Sequence, residues 1–495
     1  MKYDNIIAYQ PNLVNPLPEI LNNKDYNEFR NLLETIDDIL RKTGLDLEFA
    51  MEYLKHKQEK RQKIISGKSR SKIIAEGMTA FRCNLVKILT KQSYRKLSVT
   101  LADSLLLQNF CHLRCLDGIL RTPTKSTLER YCKSFEKSFV DRKVLALIKQ
   151  ATSEDNIFNF EDSLKIEDVF IDSTCIKANI HFPVDWVLIK DCSYTIMQAI
   201  AVVRKHGLKH RMNSPEFYMS KLNALCMSMS SETKRRTGKK GQRKVYRQLK
   251  RFAQVVHNHG IRYVELLKKR GVQDTDLTEK EIQFIISRMN KMIALMPEAI
   301  KQASSRILKG EYYKNEDKIL SAYHDNINVI KRGKAGGIVE FGNTLFVAEQ
   351  KNGLIVDWHL YKDNVKDPQA TKESIQRMVD DFEYDLRSVN SDRGCQSKRN
   401  TNLLEKYGIY SGLCPRNPHE YNEKLKNPHF KKLQKRRGQT EARIGILKNS
   451  ILDGSLYEKE FDGKDLKISW AIFAHNLWIL ARLPRRQALE NKIAA

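Results

Sequence analysis

The chain has no uncharged apolar run approaching the roughly 20 residues that a bilayer-spanning helix needs, so no membrane segment is expected. Met1 to Gln10 lacks a basic start followed by an apolar stretch, and without such a leader a cytoplasmic protein is expected. The nine cysteines follow no regular spacing, which points to reduced thiols in place of a disulfide framework. Cys111 and Cys115 lie four apart, yet no second Cys or His pair follows at zinc-ligand spacing, and they read as core residues. Negative charge is also in short supply: 59 Asp and Glu stand against 87 Lys and Arg, a net charge of +28. In an enzyme-sized chain with 41% hydrophobic residues, that excess points to a polyanionic partner, because Lys and Arg displace the counterions condensed on nucleic acid. At 495 residues, two or three domains are expected.

From the amino end, the first 55 residues read as a polar lead-in with an acidic helix around Glu28 to Ile39. Lys55 to Lys72, KHKQEKRQKIISGKSRSK, is either a solvated basic linker or an arm laid along phosphates. Over Phe81 to Thr90 and Tyr94 to Phe110, apolar residues recur every three or four positions, as in amphipathic helices. Ser126-Thr-Leu-Glu129 has the form of a capping box, opening a helix through Tyr131, Phe135 and Phe139 whose other face is basic. These helices fit a helix-turn-helix DNA reader and equally a plain packing domain.

Val169-Phe-Ile171 suits a buried strand, and Asp172 interrupts it where a charge is costly to bury unpaired. Alone, such an Asp caps a turn; with matching carboxylates elsewhere it becomes a candidate metal ligand. Pro183 forces an extended turn before a helix beginning near Asp185. Arg204 to Arg270 then carries nineteen Lys and Arg against three acidic residues, centred on KRRTGKKGQRKVYRQLKR with Lys239, Lys240 and Arg243. Tyr246 and Phe252 interleave with those charges, which repel one another without a polyanion, so phosphate contact is expected. Helical spacing returns from Thr278 to Ser304. After Lys331 come a Gly pair, a β-rich run, a tight turn at Lys351-Asn-Gly-Leu and a second β-rich run, the clearest hairpin in the chain. With Val169 to Ile176 as the first strand of a sheet, these are its second and third, and the basic helical region is an insertion between strands one and two.

Two further acids sit in comparable settings. Arg387 to Cys395 reads as a short strand ending at Asp392, after a helix over Thr371 to Asp381. Gln434 to Lys448 reads as the start of a helix on which Arg437, Glu441 and Lys448 recur at four- and seven-residue steps and share one face. Two strand-end aspartates and a helix glutamate are hard oxygen ligands, suited to Mg²⁺ and not to zinc. Brought together, they suit a pair of ions about 3.5–4 Å apart that assist an in-line phosphodiester displacement. Any one of the three, taken singly, is more often a surface charge or a cap.

These segments resemble the DDE transposases of bacterial insertion sequences, and the resemblance covers most of the chain. YRKLSVTLADSLLLQNFCHL with TPTKSTLERY is similar to their N-terminal helical region, and SWAIFAHNLWILARL to the helix that packs after the glutamate helix. FIDSTCIKANIHFPVD, NSDRG and RGQTEARIGILKN are similar to the three acidic blocks. Many members carry a Tyr-Arg-Glu-Lys signature around the glutamate; Arg437, Glu441 and Lys448 fit it, while the Tyr position holds Gln434. The resemblance implies an α+β/α, ribonuclease H-like mixed sheet with flanking helices over residues 155–200 and 330–485. It also implies a helical DNA-binding region over 1–150 and a basic helical insertion over 201–330. Asp172, Asp392 and Glu441 are then the catalytic residues and ligands of two Mg²⁺ ions, for which Mn²⁺ can substitute. Arg437, Lys448, Arg443, Lys239, Lys240 and Arg243 are the expected contacts to double-stranded DNA, at the element's terminal repeats and at its target. A homodimer on DNA is expected. The rival readings are a nuclease or resolvase on the same core without strand transfer, and a transposon-derived DNA-binding protein that no longer cuts.

Overall fold

The structure, a computed structural model, describes residue 18 and residues 20–494, except 114, 117–118, 154, 156, 159, 161–163, 236–237, 335–336, 453 and 455. It divides into two compact units, Met1–Lys177 with Asn343–Ala495, and Ala178–Gly342. One boundary falls at the end of the strand Asp168–Lys177 and the other inside the strand Gly337–Gln350, so the helix from Asp185 belongs to the second unit.

In the first unit, α1 (Lys24–Thr43) starts at Asn23, whose side chain accepts from the Tyr26 amide, and stops at Gly44 with φ 70°. The basic stretch Lys55 to Lys72 forms the end of α2 (Leu45–Arg61) and the start of α3 (Gly67–Thr90), leaving only 62–66 between helices. Its Lys, Gln and Glu are good helix formers, which a count of charges does not register. The expected helix Tyr94 to Phe110 divides into α4 (Tyr94–Asp103) and α5 (Leu105–Phe110), because the Ser104 hydroxyl accepts from the Leu107 amide and restarts it. The next cap also differs from expectation: α6 (Lys125–Cys132) begins at Thr124, whose hydroxyl accepts from the Thr127 amide, and Glu129 instead pairs with Lys125 at 3.3 Å. Phe139 falls on a separate helix, α7 (Lys137–Ala151).

The second unit is mostly helical. It contains α8 (Asp185–Lys205), α9 (Pro215–Lys234), α10 (Gly238–Asp274) and α11 (Glu279–Ser304), the last opened by a full capping box between Thr278 and Glu281. Among the described residues, α8 alone has the length and apolar composition to cross a membrane, and 56% of that window is buried inside this unit. Tyr246 is buried on the apolar stripe of α10 and donates to the Ile300 carbonyl, so it packs and does not interleave with the charges.

The sheet is open, mixed and six-stranded. Its strands are β1 (Asp168–Lys177), β2 (Asn328–Lys334), β3 (Gly337–Gln350), β4 (Ile355–Leu360), β5 (Ser388–Ser391) and β6 (Tyr410–Leu413). β3 and β4 form the hairpin, turning through Gly353 at φ 96°. β2 pairs antiparallel with Gly337–Gly342 of β3 in the second unit. On the other side of β3 comes β1, then β5 and β6 in parallel ladders. Crossover helices supply the return paths that parallel neighbours need: α12 (Asp367–Gln376) leads to β5 and α13 (Lys398–Lys406) to β6.

The chain then runs through α14 (Pro418–Leu425) and α15 (Pro428–Ile446) to α16 (Phe461–Ala494). Buried Asn476 of α16 accepts from the Ile355 amide and donates to its carbonyl, covering a strand edge that otherwise invites mispairing. The same helix ties the sheet to the N-terminal helices: Phe49 of α2 stacks on Phe81 of α3 at 4.0 Å, and both rings meet Trp470. The N-terminal helices therefore share one hydrophobic core with the sheet. Arg82 of α3, 1% exposed, pairs with Asp37 and Asp46 and donates to the Phe110 carbonyl, a buried charge with every partner supplied by this bundle.

Candidate active site

Asp172 does not end its strand as expected, since β1 continues to Lys177. What ends there is one of its two ladders. The last parallel pair between β1 and β5 is Ile171 with Ser391, so Asp172 and Asp392 are the next residue on each of two neighbouring strands. Past Ser391 the chain turns, and Asp392 Oδ1 accepts from the amides of Gly394 (2.9 Å) and Cys395 (3.4 Å). Asp172 Oδ1 accepts from the Ser173 amide at 2.8 Å. Burial and the neighbouring Asp392 push the Asp172 carboxyl from its usual 3.8 up to about 6. The Ser173 amide and Arg437 oppose that rise, and Glu441 adds to it. Asp172 and Asp392, 220 residues apart in the chain, are therefore brought side by side by the parallel ladder.

Helix α15 brings the third. It packs against β1, β5 and β6 and is tied down along its length. Gln434, at the signature's Tyr position, donates to the Gly412 carbonyl of β6 at 2.9 Å. In the π-helical turn after α15, Lys448 donates to the Thr174 hydroxyl at 3.2 Å, two residues beyond Asp172 and on the same face of β1. Between these ties, Glu441 accepts from Arg437 at 3.2 Å and keeps 56% of its side chain exposed. In this arrangement no three His, Cys, Asp or Glu side chains among the described residues already form a metal cage.

Of the residues singled out for phosphate contact, Arg437 and Lys448 lie on the acidic side of the helix. Arg443 faces the other way, with its Nε 3.5 Å from Glu349, a carboxylate only 1% exposed. Lys239, Lys240 and Arg243 lie exposed on α10 of the second unit, where Arg243 donates to the Ile307 carbonyl.

Sequence reasoning passed over two carboxylates here. Asp367, in the first turn of α12, lies close to Gly394 as Asp392 does: a Cβ on Gly394 would lie 2.8 Å from Asp367 Oδ2 and 3.1 Å from Asp392 Oδ1. Its Asp-Pro dipeptide signals a helix start and nothing more. Glu349 follows an apolar run and precedes a tight turn, where a solvated charge is the ordinary reading.

No family model, curated protein or solved structure matches this chain.

The donor set decides which ion suits the site. Every candidate ligand is a carboxylate oxygen, and two of them repel each other in a part-buried setting that a divalent cation relieves. Hard cations such as Mg²⁺ or Mn²⁺ fit; a zinc site built on Cys and His does not.

Proposed function

We propose that this chain is a DDE transposase, cutting DNA at the ends of a mobile element and joining the exposed 3′-OH to target DNA. The observation that carries the reading is the placing of Asp172 and Asp392 at the next position of two adjacent parallel strands, with the helix that carries Glu441 packed against both. The strand order supports a ribonuclease H-like assignment. Counted without β2, Asp172 stands on the first strand, Asp392 follows the fourth and Glu441 lies on a later helix. The net charge of +28 supplies the affinity for DNA.

Asp172, Asp392 and Glu441 would hold two Mg²⁺ ions, or Mn²⁺ in their place. Bound there, such ions polarise the scissile phosphate and ease deprotonation of the attacking water or 3′-OH. The protein's part is positioning. The β-ladder fixes the spacing of Asp172 and Asp392, and amide hydrogen bonds fix the orientation of both carboxylates. Glu441, now paired with Arg437, would be the third ligand, and the Arg437 guanidinium would then be available for bidentate contact with a DNA phosphate. Lys448, steadied by Thr174, adds a second positive charge along that side. Lys239, Lys240 and Arg243 provide non-specific phosphate contacts from the second unit, and a homodimer on two element ends is the working assembly.

The test uses labelled element ends, plasmid target and millimolar Mg²⁺. Asp172→Ala, Asp392→Ala and Glu441→Ala each lose strand cleavage while binding end DNA about as tightly as the parent chain. Cleavage persisting in all three variants overturns the reading. Cleavage without joined products assigns a nuclease in place of a transposase.

A further inference from the structure

Glu349 is a carboxylate with 1% exposure at the end of β3, and its partners all come from α15. Arg436 Nη1 and the Thr440 hydroxyl each donate to its Oε1 at 2.9 Å, and Arg443 Nε lies 3.5 Å from Oε2. These residues recur at steps of four and three, so one face of the helix closes on a single acid. The hairpin turn joins the grip. Arg436 also donates to the Lys351 carbonyl at 2.8 Å and lies over the Phe170 ring, two residues before Asp172. Gly353, at φ 96°, leaves room for the Arg443 guanidinium, which would stand 2.5 Å from any Cβ there.

A buried ion pair seldom adds stability over a well-packed apolar one, so its use must be sought in geometry. Thr440 and Glu441 are consecutive, and whatever fixes the rotation of α15 about its axis at Thr440 also fixes where Glu441 points. On a helix whose side chains reach about 6 Å from the axis, a turn of roughly 20° moves the tip by about 2 Å. Displacements of about 1 Å already cost on the order of a hundredfold in rate.

We infer that Glu349 is a positioning residue, clamping α15 through Arg436, Thr440 and Arg443 so that Glu441 is presented to Asp172 and Asp392. The inference rests on the reading of Glu441 as a metal-ligating acid given above.

The experiment titrates Mn²⁺ against cleavage of a labelled end duplex by the full chain, alongside duplex affinity and melting temperature. Glu349→Gln keeps the shape and removes the charge. It should bind duplex as the parent does, cleave at least about tenfold more slowly and need several-fold more Mn²⁺ for half-maximal rate. Glu349→Asp, retaining the charge, recovers part of both losses. Thr440→Val removes one hydrogen bond at constant volume and raises the Mn²⁺ requirement to a smaller degree, which decides the matter even if Glu349→Gln folds poorly. A fall in stability with unchanged Mn²⁺ dependence in Thr440→Val and in any folded Glu349 variant overturns the inference. Glu441→Gln run beside them separates the two ideas: if it is inactive, the reading of the site stands whatever Glu349 does, and if it cleaves normally, that reading fails first.

Discussion

Replacing Asp172 with Asn removes the charge that burial and Asp392 disfavour most, while keeping an acceptor for the Ser173 amide. The folded-state value of about 6 exceeds the ordinary 3.8, so the folded protein holds the proton more tightly than the unfolded chain. Ionised Asp172 therefore costs stability, in full above about pH 6 and not at all below about pH 4. A shift of this size corresponds to about 3 kcal/mol at most, and partial exposure with solvent screening brings the expected cost to about 1–2 kcal/mol. Without metal at pH 7.5, Asp172→Asn should melt roughly 2–5 °C above the parent chain, and the gap should close as the pH falls to 4. Millimolar Mg²⁺ should raise the parent and leave the variant nearly unmoved, because binding stabilises only the form that binds. Calorimetry in EDTA and in Mg²⁺ across that pH range measures both effects. A variant that melts at or below the parent in EDTA at pH 7.5 would show that Asp172 and Asp392 do not repel each other, and the proposed convergence would be wrong.

Other outcomes follow from single features. Neutralising Lys239, Lys240 and Arg243 together to Gln should weaken DNA binding and reduce the slope of log affinity against log salt by about 2–3, with melting temperature unchanged; fluorescence anisotropy over a salt series reads this. Gly353→Ala strains a left-handed position and pushes on Arg443, so a loss of about 1–3 kcal/mol by urea melting is expected, with cleavage falling further than stability. His475 is fully buried and desolvation holds its imidazole down at about 3, so the folded protein excludes a proton that the unfolded chain takes up below about pH 6.5. Its contribution is complete above that pH and declines as the pH falls toward 3, and His475→Gln should flatten the acid limb of a stability-against-pH curve.

The three acids stand out in the sequence because each breaks a local pattern: a charge interrupting an apolar run, a carboxylate before a glycine turn, and an acid at helical spacing from two cations. The hairpin was legible for the same reason, since Asn352-Gly353 between β-rich runs is a local signal. Other features depend on partners that arrive late in the chain. Arg437 and Arg443 look alike in the sequence, and only the rotation of α15 sends one to Glu441 and the other to Glu349. Glu349 itself is covered by a helix that begins nearly eighty residues later. Likewise the N-terminal helices read as separable until Trp470 brings their aromatic residues onto the helix that covers the sheet. Thr124 outcompeted Ser126 as a cap although both carry hydroxyls, because Thr124 holds the extended backbone that a cap requires.

The two acids on either side of α15 make the functional argument from opposite directions. Glu349 faces cations: Arg436 and the Thr440 hydroxyl donate to its Oε1, and the Arg443 guanidinium stands 3.5 Å from its Oε2. Asp172 meets other carboxylates and has chiefly one backbone amide and Arg437 to offset them. A chain selected for stability alone would resolve that repulsion with an amide, as the neighbouring Asn390 does where it bonds the Val169 carbonyl inside the same pair of strands. Local conflict maintained beside a charge-paired network is the pattern that the proposed catalytic centre requires. The satisfied face of the helix supplies the rigidity that the conflicted face needs, since Glu441 can share a cation with Asp172 only if the backbone carrying it does not move. If Glu441 could be moved freely without loss of cleavage, neither the buried charges on one side nor the clustered acids on the other would have a common explanation.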